Sequence, residues 1–137
     1  MRYDPMAGTG AKKFDEGKPR YDLIPPLAVE AAAQVFGFGA AKYGDRNWEQ
    51  GLDFGRLKGA LHRHVEAWWM GEEDDPESGL PHLGHAMCCL MMLTEEALNG
   101  NYELDVIDDR PATDRRTRTD VIVGSRTASP SVDSNDL

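Results

Sequence analysis

Apolar residues recur at helical intervals in three stretches of the chain, each closed by glycines or by a polar run. The first follows Pro25 and Pro26. Leu27, Ala31, Val35 and Phe38 share one helical face, and proline suits a first turn, where its missing N–H has no partner to lose. Gly37, Gly39 and Gly44 weaken the end of this helix, so it stops before a turn or loop at Tyr43 to Trp48. The second helix runs from Phe54 to about Met70, with Asp53 as its cap and Leu57, Leu61, Val65 and Trp68 as its apolar stripe. Glycines and four successive carboxylates, Glu72 to Asp75, then break the pattern. A third helix follows, capped by Ser78 or Gly79, with Pro81 near its first turn, and reaches about Leu98. From Ala86 to Leu93 it is apolar nearly all round, which implies burial on more than one side. In so short a chain, a second subunit is the favoured cover.

The periodic region therefore predicts an all-α fold in one domain, and 137 residues suit a single core. Residues 1–12 read as a flexible leader, 13–107 as the helical domain, and 108–137 as a polar, flexible tail whose one strand-like run is Val121 to Val123. Within the domain, residues 13–26 (KFDEGKPRYDLIPP) hold too many turn formers for a helix or strand and read as a fixed irregular segment. No run approaches the roughly 20 apolar residues of a membrane span, and the first residues lack the apolar core of a signal peptide, so the expected location is cytosolic. Cys88 and Cys89 are adjacent in an apolar run, poorly placed to bridge each other or to hold zinc, and read as packing residues. A net charge of −9 argues against binding nucleic acid, while a locally basic pocket can still take a small anion such as a free nucleotide.

The histidines and acids change this picture from a helical domain to a candidate hydrolase. His62 and Glu66 stand four apart on the second helix, and His82 and His85 three apart on the third, so each pair shares a face. If the two helices pack antiparallel across the acidic loop, these groups converge at the loop end with Asp75 beside them, as metal sites in bundles do. Glu66 is the candidate catalytic carboxylate, and Glu66, His82, His85, His62 and Asp75 are the candidate metal ligands. His64 lies close to the apolar stripe and reads as a packing or hydrogen-bonded histidine. A second group, Lys13, Lys18, Arg20, Lys42, Tyr43, Arg46, Asn47 and Trp48, mixes cations with aromatics and suits a nucleotide: charge for phosphate oxygens, a ring for the base. The chain has no glycine-rich phosphate loop, no acyl-transfer triad signature and no adjacent His-Asp pair, which leaves water activated by a metal as the nucleophile.

Three blocks in order, KFDEGKPRYDLIPP (13–26), KYGDRNW (42–48) and GLPHLGHA (79–86), resemble the phage dATP/dGTP pyrophosphohydrolases, relatives of the MazG-like all-α nucleotide pyrophosphohydrolases. The resemblance covers about Lys13 to Leu93. It implies a MazG-like helical fold packed in a homo-oligomer, a dimer or tetramer, in the cytoplasm of the infected host cell. It further implies cleavage of dATP and dGTP between the α and β phosphates, with Mg2+ or Mn2+ as cofactor, depleting dATP and supplying dGMP in a phage with diaminopurine-modified DNA. The wider superfamily places four carboxylates on two helices as Glu-x-x-Glu and Glu-x-x-Asp. Here Glu66 is the obvious carboxylate match, while His82 and His85 occupy the spacing of the second pair, a donor set better suited to manganese or other transition metals than to magnesium. Two rival readings remain: a zinc hydrolase of another substrate using His62, Glu66, His82 and His85, and a non-catalytic helical phage oligomer.

Overall fold

Local rules set the helix boundaries before any packing is considered. Pro25 (φ −61°, ψ 116°) feeds extended backbone into α1, Pro26–Tyr43, whose first return bond runs from the Val29 N–H to the Pro25 carbonyl at 3.2 Å. The computed structural model describes residues 10–99 and 108–111. In it α1 continues through Gly37 and Gly39 and stops at Gly44, whose φ of +93° favours glycine. A short 3-10 turn, Asn47–Gln50, occupies the predicted loop. Then come α2, Phe54–Trp69, and α3, His82–Asn99. No strand occurs among the described residues, so the expected all-α class holds. The leader and the tail, with the run at Val121, fall almost wholly outside the described residues.

Of the two predicted caps, one keeps its position and the other moves. Asp53 caps α2 with no side-chain hydrogen bond; its carbonyl accepts from the Arg56 and Leu57 N–H groups instead. The side-chain acceptor is Asp109, whose Oδ1 takes the Gly55 N–H at 2.7 Å, a carboxylate placed where the helix presents its unpaired donors and positive dipole end. Gly55 permits this approach, because a Cβ there would collide with the Asp109 carboxyl. At the other end of the hairpin, α3 begins at His82 rather than just after Ser78 or Gly79, which are tied up in a tight turn described below.

α3 is the element on which both other helices pack. The Leu52 N–H meets Glu96 near the far end of α3 while His64 meets His82 at its start, so α2 and α3 run antiparallel, as the sequence reading requires. Against α1, Gly84 lets the backbones close up; a Cβ there would stand 3.0 Å from the Ala31 carbonyl oxygen and 3.3 Å from Val35. The core consists of Ala32, Val35, Phe54, Leu57, Ala86, Cys88 and Cys89. Burying each of the larger side chains contributes about 1.5–3 kcal/mol. Both thiols are buried, and desolvation pushes Cys88 up to about 12, so they pack as expected. Much apolar surface stays uncovered, including Leu27 and Met70 (79% exposed each), Trp69 (76%), Leu90 (53%) and Met91 (52%). No helix among the described residues is long and apolar enough to cross a membrane.

Candidate active site

The end of α2 determines where the site can form. Gly71 (φ +102°) follows the helix; its N–H returns to the Trp68 carbonyl and the Glu72 N–H to the Ala67 carbonyl, both at 3.0 Å. This paired closure reverses the chain and sets Glu72 facing the start of α3. Asp75 then organises the acidic loop. Its Oδ2 accepts the Ser78 N–H at 2.9 Å, its carbonyl accepts the Gly79 N–H at 2.8 Å, and its own N–H donates to the Leu80 carbonyl at 2.8 Å. The His82 N–H bonds the Glu73 carbonyl at 2.9 Å, and Asp74 and Pro81 form a single antiparallel bridge. The acidic loop is thus a closed turn with one carboxylate, Asp75, held inward.

Into this turn project three histidines. His64 Nδ1 and His82 Nδ1 are 2.8 Å apart, and His82 Nε2 is 2.6 Å from Glu72 Oε1. The His85 ring stacks on His64 at 4.5 Å between centroids and makes a T-shaped contact with Phe38 from α1 at 6.2 Å. Its Nε2 lies 2.7 Å from Ser78 Oγ and 3.8 Å from Asp75 Oδ2. Ser78 and Asp75 lie on the same ring nitrogen, so this is not a relay that would activate a serine, in which the acid must hold the opposite nitrogen. Burial, then the neighbouring His85 and His82, holds His64 below the ordinary histidine value; burial likewise lowers His85, against the pull of Asp75. Both rings are therefore neutral near pH 7 and keep lone pairs for a cation. For Asp75, burial alone would raise the carboxyl, but the Ser78 hydrogen bonds and the adjacent His85 and His64 together hold it below the usual carboxylate range. His64, Asp75 and His82 each offer one donor atom, all within 4.8 Å of one another, which is a group able to hold a metal ion.

The predicted residues distribute unevenly around this centre. Asp75, His82 and His85 converge there, as the antiparallel argument requires. His62 and Glu66 lie on the exposed face of α2, and His64, two residues from each and so on the opposite side, takes the inward position. Sequence reasoning passed over His64 although the signal was present: Leu57, Leu61, His64 and Trp68 continue one stripe of α2 at spacings of four, three and four. Of the predicted nucleotide grip, Lys42 ion-pairs with Glu77 on the loop and lies 5.2 Å from the Tyr43 ring centroid, which brings one cation to the edge of the cluster. Arg20 is engaged by Asp22 through two bonds, at 2.8 and 2.7 Å, and Lys13 and Lys18 are exposed on the irregular segment. Arg46 (φ +54°) is exposed, 3.9 Å from Glu49, and starts the turn that carries Asn47 and Trp48. Trp48 is half-buried and lines an open depression of about 180 Å3 with Phe36, Glu49, Met91, Met92 and Glu95.

A helical hairpin whose loop end gathers imidazoles and a carboxylate defines a candidate metal-dependent enzyme of the all-α class. Comparison with known proteins narrows that class: residues 8–110 match the family described as dATP/dGTP diphosphohydrolase, N-terminal, and the chain belongs to this family. The dATP/dGTP diphosphohydrolase of Salmonella phage PMBT28 is 36% identical over 114 residues, which is 83% of this chain and 36% of that relative. The chain thus spans little more than a third of the relative's length. No solved structure gives a significant match.

Proposed function

We propose that this chain carries the catalytic centre of a nucleotide diphosphohydrolase that cleaves dATP and dGTP between the α and β phosphates, giving the deoxynucleoside monophosphate and pyrophosphate. The observation that carries the reading is the family match, which spans the whole His64–Asp75–His82 cluster. In a phage with diaminopurine-modified DNA, acting in the cytoplasm of the infected cell, this reaction depletes dATP and supplies dGMP.

The residues divide the task by position. Asp75, His64 and His82 would hold the divalent cation, Mg2+ or Mn2+, which when bound would supply charge to phosphate oxygens and lower the pKa of a water. Lys42, exchanging Glu77 for a phosphate oxygen, adds charge where the leaving pyrophosphate develops it. The open depression beside Trp48 offers an aromatic face on which a base can stack. Met92, on its wall, stands seven residues beyond His85 on α3, about 10 Å along the helix, a distance a nucleotide can span from base to phosphate. Glu95 and Glu49 on that wall can accept from amino groups on the base edge. The uncovered Leu27, Trp69, Leu90 and Met91 support a MazG-like homo-oligomer, because faces this apolar are rarely left to water.

Product analysis with each common nucleoside triphosphate, in Mg2+ or Mn2+, tests the reading. Pyrophosphate and monophosphate from dATP and dGTP are expected; orthophosphate, or no release from purine deoxynucleotides, would overturn it. A paired variant assay locates the chemistry on α2. His64→Ala should lower turnover at least 100-fold, whereas an equal loss in Glu66→Ala would return the reaction to the carboxylate expected from sequence.

A further inference from the structure

The four side chains at the mouth of the α2–α3 hairpin carry an inference about which ion this protein takes. We infer that His64, Asp75 and His82 form a built, single-ion site for a borderline transition metal such as Mn2+, Co2+ or Zn2+ in preference to Mg2+, with Glu72 as the group that orients His82. This rests on the proposed activity and deepens it by naming the class of cofactor and the group that orients one of its ligands.

The hydrogen-bond network fixes the donor atoms. The Glu72 carboxylate accepts, so His82 Nε2 carries the proton of that 2.6 Å bond and His82 Nδ1 bears a lone pair. That lone pair accepts the His64 Nδ1–H across 2.8 Å. An ion seated between the rings takes the place of this one proton, which moves to His64 Nε2 as the ring changes tautomer and stays neutral. Metal–imidazole bonds of about 2.0–2.1 Å in tetrahedral geometry put two ligand nitrogens roughly 3.3 Å apart, so the rings need to open by only about half an ångström. Asp75 supplies the third donor from within the same 4.8 Å group, and its turn holds it there without the ion.

Glu72 occupies the position typical of a partner to a metal-binding histidine, a carboxylate on the ring nitrogen away from the ion, where it fixes tautomer and orientation and makes the ring a stronger donor. Its placement follows from the Gly71 closure of α2 rather than from the loop's overall acidity. Two imidazoles and one carboxylate are a poor match for Mg2+, which seeks octahedral oxygen, and a good one for borderline metals, with coordination positions left for water or phosphate.

The test uses the full chain freed of metal with a chelator and titrated with Co2+, followed by visible absorption, then by competition. One equivalent of Co2+ should give the intense bands of four- or five-coordinate cobalt; Mn2+ and Zn2+ should displace it, and Mg2+ at the same concentration should not. His64→Ala and His82→Ala should abolish the bands. Glu72→Gln, a change at a half-exposed side chain that leaves the fold intact by circular dichroism, should keep the stoichiometry and weaken binding 10–100-fold. A silent titration, bands unaffected by His64→Ala, or equal affinity for Mg2+ would overturn the inference. The site and the activity fail separately. Cobalt bands without pyrophosphate release from any purine deoxynucleotide leave the site standing and remove the proposed reaction; Mg2+-driven release with a silent titration does the reverse.

Discussion

The two ends of α3 bury polar groups in opposite ways. At its start His82 is 3% exposed and has a partner on each ring nitrogen, while Asp75 and His85 are partly buried and share Ser78. Near its far end Glu96 is 8% exposed; one carboxylate oxygen accepts the Leu52 N–H at 3.3 Å, and the other has no hydrogen-bond partner among the described residues. The first arrangement keeps its polar atoms matched in the absence of a ligand and can trade a shared proton for a cation at little cost. The second leaves one buried carboxylate oxygen unmatched among the described residues, which costs stability. A cluster becomes a site when its groups satisfy one another and can still release a lone pair.

The largest effect that would sharpen this contrast is catalytic. Asp75→Ala removes both a proposed metal donor and the acceptor that closes the turn, so turnover should drop at least 100-fold, while Glu96→Gln should stay within about threefold of the wild-type rate. Steady-state pyrophosphate release measures both. Comparable losses at the two ends would mean that stability, not site chemistry, governs the rate.

A smaller, structural effect tests how the start of α3 acquires its partners. Gly71 holds φ +102°, where an L side chain is strained, and its closure of α2 sets Glu72 against His82. Gly71→Ala should cost about 1–2 kcal/mol by urea unfolding. It should also weaken Co2+ binding in the same direction as Glu72→Gln, since both disturb the orientation of His82. A stability loss with unaltered cobalt affinity would separate the helix closure from the site.

How much of this was legible in the sequence depends on the range of the force involved. The three helices follow from apolar spacing and from proline and glycine, all local, and α2 in particular keeps its expected start. The convergence of Asp75, His82 and His85 followed from one added assumption, antiparallel packing across a short loop. What escaped was the side of α2 that faces inward. His62 and Glu66 formed the conspicuous pair by residue type, yet the stripe through Leu57, Leu61 and Trp68 selects His64, and the packing of that stripe on α3 decides the matter. The side-chain acceptor at the start of α2 escaped for a different reason: Asp109 lies 54 residues from Gly55, and no local pattern announces a contact of that length.

The smallest predicted effect concerns Glu96 itself and its dependence on pH. Burial raises this carboxyl above its ordinary 4.5, with the Leu52 hydrogen bond opposing and Asp53 adding to the rise. Below pH 4.5 the acid is protonated both folded and unfolded, and the residue carries no charge penalty. As pH climbs through the raised folded value, the folded state must ionise a group that the unfolded chain ionises more easily, so stability is lost over that window and stays lost at neutral pH. Glu96→Gln lacks the charge at every pH. It should therefore be more stable than wild type by about 1 kcal/mol at pH 7 to 8, with the advantage shrinking toward zero as pH falls to 4.5. The histidine and Asp75 titrations are common to both proteins and cancel in the difference. Urea unfolding of the pair at matched pH measures it. An advantage that does not vary with pH, or a variant less stable than wild type at pH 7, would show that the second Glu96 oxygen is matched in the folded protein in solution, and the contrast between the two ends of α3 would collapse.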